Sequence, residues 1–234
     1  MPAPASLTNA NFQTAVDLWC TDKAAAFSTY GHIKDWNVTG VTSMYQAFKD
    51  KTTFDDNISG WDVGNVTSML NMFRDASAFN HPIGDWNVSK VTTFRGMFTN
   101  ASSFNVPLDG WNVSSVTDMQ DMFRGAQSFN QPIGSWDVSK VTYTTRTFKD
   151  ASAFDQDISD WNLSAITNMT DTFTNANALS NANKGKIHAS FSSNPNWPYD
   201  WSAHVAAPTP DQTADGKNTQ TDQNTTVPAP GDPY

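Results

Sequence analysis

The stretch FNQPIGSWDVSKVT, residues 129–142, decides the fold, because residues 79–92 read FNHPIGDWNVSKVT. The tryptophan of this motif recurs six times at a spacing of 25 residues, with no insertion or deletion, as Trp36, Trp61, Trp86, Trp111, Trp136 and Trp161. A fixed period of this length is typical of proteins built from stacked coils, in which each coil buries its apolar face against its neighbours. The duplicated stretch is therefore predicted to be one coil of such a stack.

Other columns of the repeat keep the same register. Large apolar side chains fill two of them: Phe48, Phe73, Phe98, Phe123, Phe148 and Phe173, and Phe54, Phe79, Phe104, Phe129, Phe154 and Leu179. One column is identical in all six copies: Thr42, Thr67, Thr92, Thr117, Thr142 and Thr167. Ordering the backbone costs about 1–2 kcal/mol per residue, which one short coil cannot recover alone. Hydrogen bonds and packing between coils are therefore expected to stabilise the fold.

Each coil is predicted to contain one short strand and one short helical segment. The W-[N/D]-V segment alternates apolar and polar residues, which predicts a short parallel strand. The V-T-x-M-x-x-M-F segment spaces its apolar residues by three and four, which predicts a short helix or 3-10 turn. Its N-cap is predicted to be a serine, as at Ser89, Ser114, Ser139 and Ser164. The fold class predicted is an α/β repeat solenoid of about six 25-residue coils, capped at both ends.

A polar column follows the second apolar column: Asp55, Asn80, Asn105, Asn130 and Asp155. Asn and Asp side chains readily hydrogen-bond nearby backbone groups in turns. We therefore expect these side chains to bond the turn backbones from one coil to the next.

The two ends of the chain are predicted to cap the repeats. Apolar residues at helical spacing predict one amphipathic helix over residues 9–28, capped by Thr8 or Asn9 and burying the thiol of Cys20. A second helix is predicted over 183–191, before an aromatic lid of Trp197, Tyr199 and Trp201. A tail rich in Pro, Thr, Asp and Gln is predicted to be disordered. The domains predicted are 1–32, leader and capping helix; 33–179, six-coil solenoid; 180–204, C-terminal aromatic cap; and 205–234, disordered linker or tail.

Composition excludes several classes of protein. All 23 acidic residues are Asp, and the net charge of -9 argues against nucleic-acid binding, which needs a basic surface. No apolar run approaches the length of a membrane span, so no membrane insertion is expected. Cys20 is the only cysteine, which excludes an internal disulfide and a cysteine-based zinc site. The first residues, MPAPASLTNANF, lack the pattern of an intact secretory signal, so we expect either a cytosolic protein or a mature extracellular one.

The repeat unit FNQPIGSWDVSKVT…MFRGAxxFN resembles that of BspA-like leucine-rich repeat surface proteins, a type also abundant among mycoplasma lipoproteins. The segments WCTDKAAAFSTYGHIKDWNV and IHASFSSNPNWPYDW are similar to the ends of that family, so the resemblance covers about residues 12–202. It implies a leucine-rich-repeat-like solenoid, displayed at the cell surface or secreted, with a role in binding or adhesion. It implies no catalytic residue. Departures from its pattern are Phe94 and Thr144 in place of Met, and Gly64 in place of Ser or Thr.

No pattern of residues predicts an active site. The four histidines lie in unrelated contexts, and none has a cysteine or second histidine at the spacing of metal ligands: His32, His81, His188 and His204. The serines belong to repeat columns and not to a nucleophile elbow, and the paired aspartates fall in turns. We therefore expect a monomeric, non-catalytic protein with no cofactor and no metal site, and rank an undetected hydrolase far behind.

The sharpest candidate site is the outward side of the predicted strands. If the Trp and Val columns point inward, the residues between them form a flat, polar, moderately acidic face. The residues predicted to bind a partner are Asp62, Asp85, Asn87, Asn112 and Asp137. We expect a protein or glycan surface there, and neighbouring carboxylates favour a basic peptide or a weakly held cation. The alternative is a solvated face without a partner.

Two other surfaces stay open as alternatives. The threonine stripe could bind ice or another regular lattice, because identical hydroxyls would repeat at the coil spacing: Thr67, Thr92, Thr117 and Thr142. The tryptophan column could form an exposed stripe that stacks on sugars or peptides, if the strand register were shifted by one residue. Its position between Ile and Val columns favours the core.

Overall fold

In the computed structural model, which describes residues 6–206, every helix and every strand longer than one residue lies near one end of the chain. In chain order these are β1 (Ser6–Thr8), α1 (Phe12–Thr21), α2 (Lys23–Tyr30), β2 (Asn37–Gly40) and α3 (Asn181–Phe191), with 3-10 turns at Ile33–Asp35 and Ser202–His204. β1 pairs with β2 in parallel. Within the described residues, no helix is long and apolar enough to cross a membrane. The predicted tail, apart from its first two residues, lies outside the described part of the chain.

Residues 33–179 form what we call the coil stack, in which successive 25-residue units hydrogen-bond through their backbones. One parallel bridge joins each unit to the next, between Ser43, Ser68, Thr93, Asp118, Tyr143 and Asn168. The predicted strands at the W-[N/D]-V segments are therefore wrong beyond the first coil. Only β2 forms there, because it alone has a partner strand, β1. In the later coils the backbone ladder lies further along the unit, at the bridge residues.

The segment after each bridge is a series of turns and not the predicted helix. In the third coil, the N–H groups of Gly96 and Phe98 each bond a carbonyl of the fourth coil at 2.8 Å. The N–H groups of Met97 and Thr99 bond back three residues, at 2.9 and 3.1 Å. A regular helix would use all these donors internally and leave the carbonyls of the next coil unpaired.

This alternation requires left-handed backbone at two positions in each coil. The third coil meets the requirement at Gly96 and Asn100, where φ is 62° and 56°. Across the six coils the same two positions hold mostly Asn, Asp or Gly, which adopt positive φ at low cost. The exceptions are Gln46 and Arg146. These two columns contain no β-branched residue, because β-branched side chains strongly disfavour a positive φ.

The tryptophan and phenylalanine columns form the core. The six repeat tryptophans are only 3–5% exposed, so their predicted place in the core is confirmed and the outward-facing stripe is wrong. Four of their indole N–H groups donate to a carbonyl of the preceding coil. In the other apolar column, Phe98 stacks on Phe73 and Phe123 of the neighbouring coils, with ring centroids 5.8 and 5.6 Å apart. Each coil therefore buries its large side chains against copies of themselves.

The predicted polar column is confirmed as a hydrogen-bonded row, which we call the Asn ladder: Asp55, Asn80, Asn105, Asn130 and Asp155. The Oδ1 atom of each of the first four accepts the backbone N–H of the next member at 2.8–3.1 Å. Asp155 continues the row by accepting the N–H of Ser180 at 2.9 Å. The ladder therefore supports the turns along the whole stack.

The N-terminal cap consists of two helices where one was predicted. The chain turns at Asp22, whose side chain caps α2 by accepting a backbone N–H at 2.9 Å. Asn11 precedes α1 without a side-chain cap, so the predicted cap at Thr8 or Asn9 is wrong. Asn9 instead ends the threonine column. Its Nδ2 donates to Thr42 Oγ1 at 2.7 Å, and its Oδ1 accepts the N–H of Thr42 at 2.9 Å.

The C-terminal cap consists of α3 and the aromatic lid. The side chain of Ser180 caps α3, which begins two residues before the predicted helix. The hydroxyl of Tyr199 accepts the backbone N–H of Phe173 at 2.8 Å, and so replaces the carbonyl of a further coil. Burial raises the pKa of Tyr199, against the opposing effect of that N–H. The rings that pack edge-on or tilted against Phe173 are Trp197, Tyr199 and Trp201.

Candidate functional site

The five residues predicted to bind a partner are all exposed: Asp62, Asp85, Asn87, Asn112 and Asp137. In four of them, Oδ1 accepts the backbone N–H of the residue two positions on, at 3.0–3.2 Å. These are Asx turns, which bend the chain after the tryptophan. The four serines predicted as helix N-caps donate their N–H groups to these turns instead, so that assignment is wrong. At the predicted site, the Asx turns therefore already use part of the hydrogen-bonding capacity of these side-chain oxygens.

Among the described residues, the carboxylates of this face do not form a metal site. Within residues 6–206, no three His, Cys, Asp or Glu side chains come together as a group that could hold a metal ion. Hydrogen bonds from the side chain and backbone of Ser139 lower the pKa of Asp137, which keeps that carboxylate ionised at neutral pH. Asp85 has no side-chain hydrogen bond to any described residue. A partner site on this face stays a prediction.

The threonine column is exposed at five of its six positions. Each hydroxyl from the second coil onward donates to the carbonyl of the preceding threonine at 3.0–3.3 Å. The same carbonyl also accepts the backbone N–H of the threonine that donates the hydroxyl, at 2.8–2.9 Å. The hydroxyl hydrogens therefore stabilise the stack, while hydroxyl oxygens and methyl groups face outward. The bridge column beside it varies from Ser43 to Asp118 and Tyr143, so the regular array is only one column wide.

A second outer face carries every arginine of the chain, and the sequence analysis missed it. This arginine face is defined by Arg74, Arg95, Arg124 and Arg146. All four lie on the turn segment that follows the bridge residues, and all are exposed or half-buried. In a chain with a net charge of -9, the middle coils thus bring the guanidinium groups together on one side.

Three of these arginines line one cleft of ≈ 200 Å³, namely Arg74, Arg95 and Arg124. Gly96 forms part of its wall. A Cβ at this position would collide with the Oδ1 atom of Asn71, which fills the space beside Gly96, and the positive φ of 62° also disfavours a side chain. The side chain of Asn71, from the coil before, therefore lines the cleft together with Gly96.

The charges around the cleft are unevenly paired. Asp121 accepts two hydrogen bonds from Arg146, at 2.8 and 2.9 Å, and these bonds raise the pKa of the guanidinium. The guanidinium of Arg124 lies 3.8 Å from the same carboxylate, which two arginines therefore share. Arg95 has no carboxylate within 4.0 Å among residues 6–206. Its guanidinium group is free to bind an anion, which is the chemistry this geometry favours.

One signal in the sequence could have located this face. The four arginines occupy three repeat columns within a span of five residues, and one of these columns holds both Arg74 and Arg124. Counting basic residues by column would have shown that clustering. The meeting of Arg74, Arg95 and Arg124 in one cleft could not be predicted, because it depends on which turn residues face outward.

The ionisable groups of the caps have structural partners. Cys20 is half-buried and not fully buried as predicted, and burial raises the pKa of its thiol, which disfavours a reactive thiolate. The ring of His32 accepts the N–H of Lys34 at 3.3 Å. The ring of His188 accepts the indole N–H of Trp197 at 3.1 Å.

Comparison with known proteins places this chain among repeat proteins. The profile of one family, described as "Mycoplasma protein of unknown function, DUF285", matches residues 17–126 and again residues 83–186. The two overlapping matches together span residues 17–186, which include the whole coil stack. Searches of curated proteins and of solved structures gave no match.

Proposed function

We propose that this chain, which belongs to the mycoplasma family DUF285, is a non-catalytic binding or adhesion module of the cell surface or extracellular space. Its partner is a protein or a glycan, bound on the arginine face. The observation that carries the proposal is the cleft lined by Arg74, Arg95 and Arg124, because an acidic chain concentrates its guanidinium groups around one concave site. Extended faces of stacked-coil proteins commonly serve as binding surfaces.

The proposal includes the fold class and the location. Backbone bonds between units and the row of parallel bridges support a leucine-rich-repeat-like solenoid. The resemblance to BspA-like surface proteins supports display outside the cell. The module acts as a monomer without a cofactor. The row of Asx turns at Asp62, Asn87, Asn112 and Asp137, with the neighbouring Asp85, is the second candidate face.

A second candidate function is the binding of ice or another regular lattice. It is favoured by the exposed threonine column, including Thr67, Thr92, Thr117 and Thr142. It ranks below adhesion because the column beside it is irregular and the hydroxyl hydrogens are already bonded. Thermal hysteresis that is lost in the variant Thr92→Tyr, Thr117→Tyr would place it first.

Adhesion of the intact 234-residue chain tests the first proposal. Beads coated with the protein are incubated with immobilised extracellular-matrix proteins and glycans, and the retained beads are counted. We expect saturable retention on at least one surface, reduced in the variant Arg95→Ala, Arg124→Ala. A control that removes the same charge elsewhere is Lys90→Ala, Lys140→Ala, since both lysines are exposed outside the arginine face.

The adhesion assay also has outcomes against the proposal. Retention that survives loss of the arginines but is lost in Asp85→Ala, Asn87→Ala would move the site to the row of Asx turns. Absence of retention on every surface, or turnover in a screen of hydrolase substrates, would overturn the proposed function.

A further inference from the structure

We propose that the arginine face binds a linear sulfated polysaccharide, with one sulfate group seated in the cleft between Arg95 and Arg124. The inference rests on the proposed function, because it names the chemical class of the partner on the same face. It is carried by the arrangement of the cations, their incomplete pairing and the polar lining of the cleft.

The cations form a row along the axis of the coil stack. Lys49, Arg74, Arg124 and Lys149 occupy one repeat column, interrupted only by Thr99 in the third coil. Neighbouring coils bonded through their backbones lie roughly 5 Å apart, so the row extends over about 20 Å. Such a row fits a chain of repeating anionic groups better than a single small anion.

Each cation at the two ends of this row has a carboxylate of its own, whereas around the cleft in the middle the arginines outnumber their carboxylates. Lys49 lies 3.3 Å from Asp50, and Lys149 lies 2.9 Å from Asp171. Of the residues that line the central cleft, three are arginines and one, Asp121, is acidic. The unpaired positive charge is therefore greatest at the cleft.

At the cleft itself, Arg74 pairs only with the adjacent Asp75, at 3.2 Å. Arg124 shares Asp121 with Arg146, which holds that carboxylate through two shorter bonds. A guanidinium presents several N–H donors in one plane and binds tetrahedral oxyanions through paired hydrogen bonds. A sulfate ester would thus satisfy donors that the protein leaves free.

The lining of the cleft distinguishes a polysaccharide from other polyanions. None of its residues is aromatic, whereas proteins that bind single-stranded nucleic acid stack bases on aromatic rings. Leu70 is the only apolar side chain that lines it, so an acidic peptide would find no pocket for a large anchor. A hydrated, sulfated sugar chain needs neither stacking nor an apolar pocket.

Calorimetric titration of the full chain with heparin, used as the sulfated probe, tests the inference. We expect binding that weakens as salt rises, and that weakens roughly tenfold or more in Arg95→Ala, Arg124→Ala, because each lost contact also removes a screened charge interaction. The control Lys90→Ala, Lys140→Ala should change affinity by less than about twofold, since it removes the same charge outside the arginine face. Fully desulfated heparin should not bind. Thermal melting establishes that both variants fold.

Three outcomes would overturn the inference. These are equal affinity of the arginine variant and the native chain, equal affinity for desulfated heparin, and displacement of heparin by an equal charge of single-stranded DNA. Arg95→Gln provides a second variant, which keeps a polar side chain without the charge, if Arg95→Ala fails to fold. If heparin does not bind while coated beads still adhere to a matrix protein, the inference fails and the proposed function stands.

Discussion

The interior columns of the coil stack and the arginine face belong to the same 25-residue unit but follow opposite rules. Inside, each large side chain contacts its own copy in the next coil, as Phe98 contacts Phe73 and Phe123. Outside, equivalent positions differ from coil to coil, as in Tyr45 and Arg95. Stacking therefore constrains most strongly the residues that touch their own copies. Variation between coils on the outer faces leaves those stacked columns unchanged, and there it can create a site.

The largest expected effect comes from emptying the interior at one coil. Phe98 is fully buried and stacks within its own coil on Phe104 at 3.9 Å between ring centroids. We expect Phe98→Ala to lower the free energy of unfolding by about 3–5 kcal/mol, because it removes apolar contacts and leaves a cavity. Urea denaturation measures this value. The matched outer variant, Arg95→Ala, should change it by less than about 0.5 kcal/mol.

The Asn ladder should give the next largest effect. Asn105→Ala would leave the N–H of Asn130 without its acceptor and should cost about 1–2 kcal/mol of unfolding free energy. Asn105→Asp keeps an acceptor, as the native ladder does at Asp55 and Asp155, and should cost clearly less. Urea denaturation of both variants tests the ladder. Equal losses in the two variants would show that the side-chain oxygen does not support the next coil.

A smaller effect should separate two neighbours on the row of Asx turns. Asn87 accepts both the N–H and the hydroxyl of Ser89, at 3.2 and 2.7 Å. We expect Asn87→Ala to cost about 0.5–1.5 kcal/mol, since these hydrogen bonds are exposed to water. Asp85→Ala, two residues earlier in the same coil and on the same face, should cost less than about 0.5 kcal/mol. Thermal melting would contradict this if both variants behaved alike.

Acid should produce the smallest effect, and it should act on the caps. Burial alone would raise the pKa of Asp155, but hydrogen bonds from Ser180 and Asn183 outweigh it, and the pKa lies below its ordinary value of 3.8. A lowered pKa contributes stability above pH 3.8, and this contribution is lost as the pH falls below that value. The effect is small because the carboxylate is partly exposed and water screens it.

Hydrogen exchange at the C-terminal cap measures this effect. The protection of the amides of α3, relative to the intrinsic exchange rate at each pH, should fall on acidification below pH 4 in the native chain, and less so in Asp155→Asn. A variant with the same acid response as the native chain would show that other carboxylates control the cap.

Much of the interior could be predicted from residue types, and the turn region could not. The spacing of tryptophans such as Trp86, and of phenylalanines such as Phe98, predicted which columns are buried. The same repeat spacing predicted that Asn105 and its copies bond from coil to coil. The V-T-x-M-x-x-M-F segment was wrongly predicted to be a short helix. Turns that bond alternately within and between coils space their apolar residues by three and four, as a helix does. Residues such as Gly96 and Asn100, which readily adopt left-handed backbone, indicated turns at these positions and were overlooked.

The sequence by itself determined the period, the buried columns and the hydrogen-bonded row of Asn and Asp. It did so because a strict repeat places each residue against its own copy, so its chemistry can be judged without further contacts. Only the tertiary structure decided where the arginines meet. Arg95, Arg124 and Arg146 come from different columns, and their positions depend on turns in which left-handed residues alternate with contacts to the next coil. The contact of the Asn71 side chain with Gly96 in the wall of the cleft likewise joins two coils and is visible only in the tertiary structure.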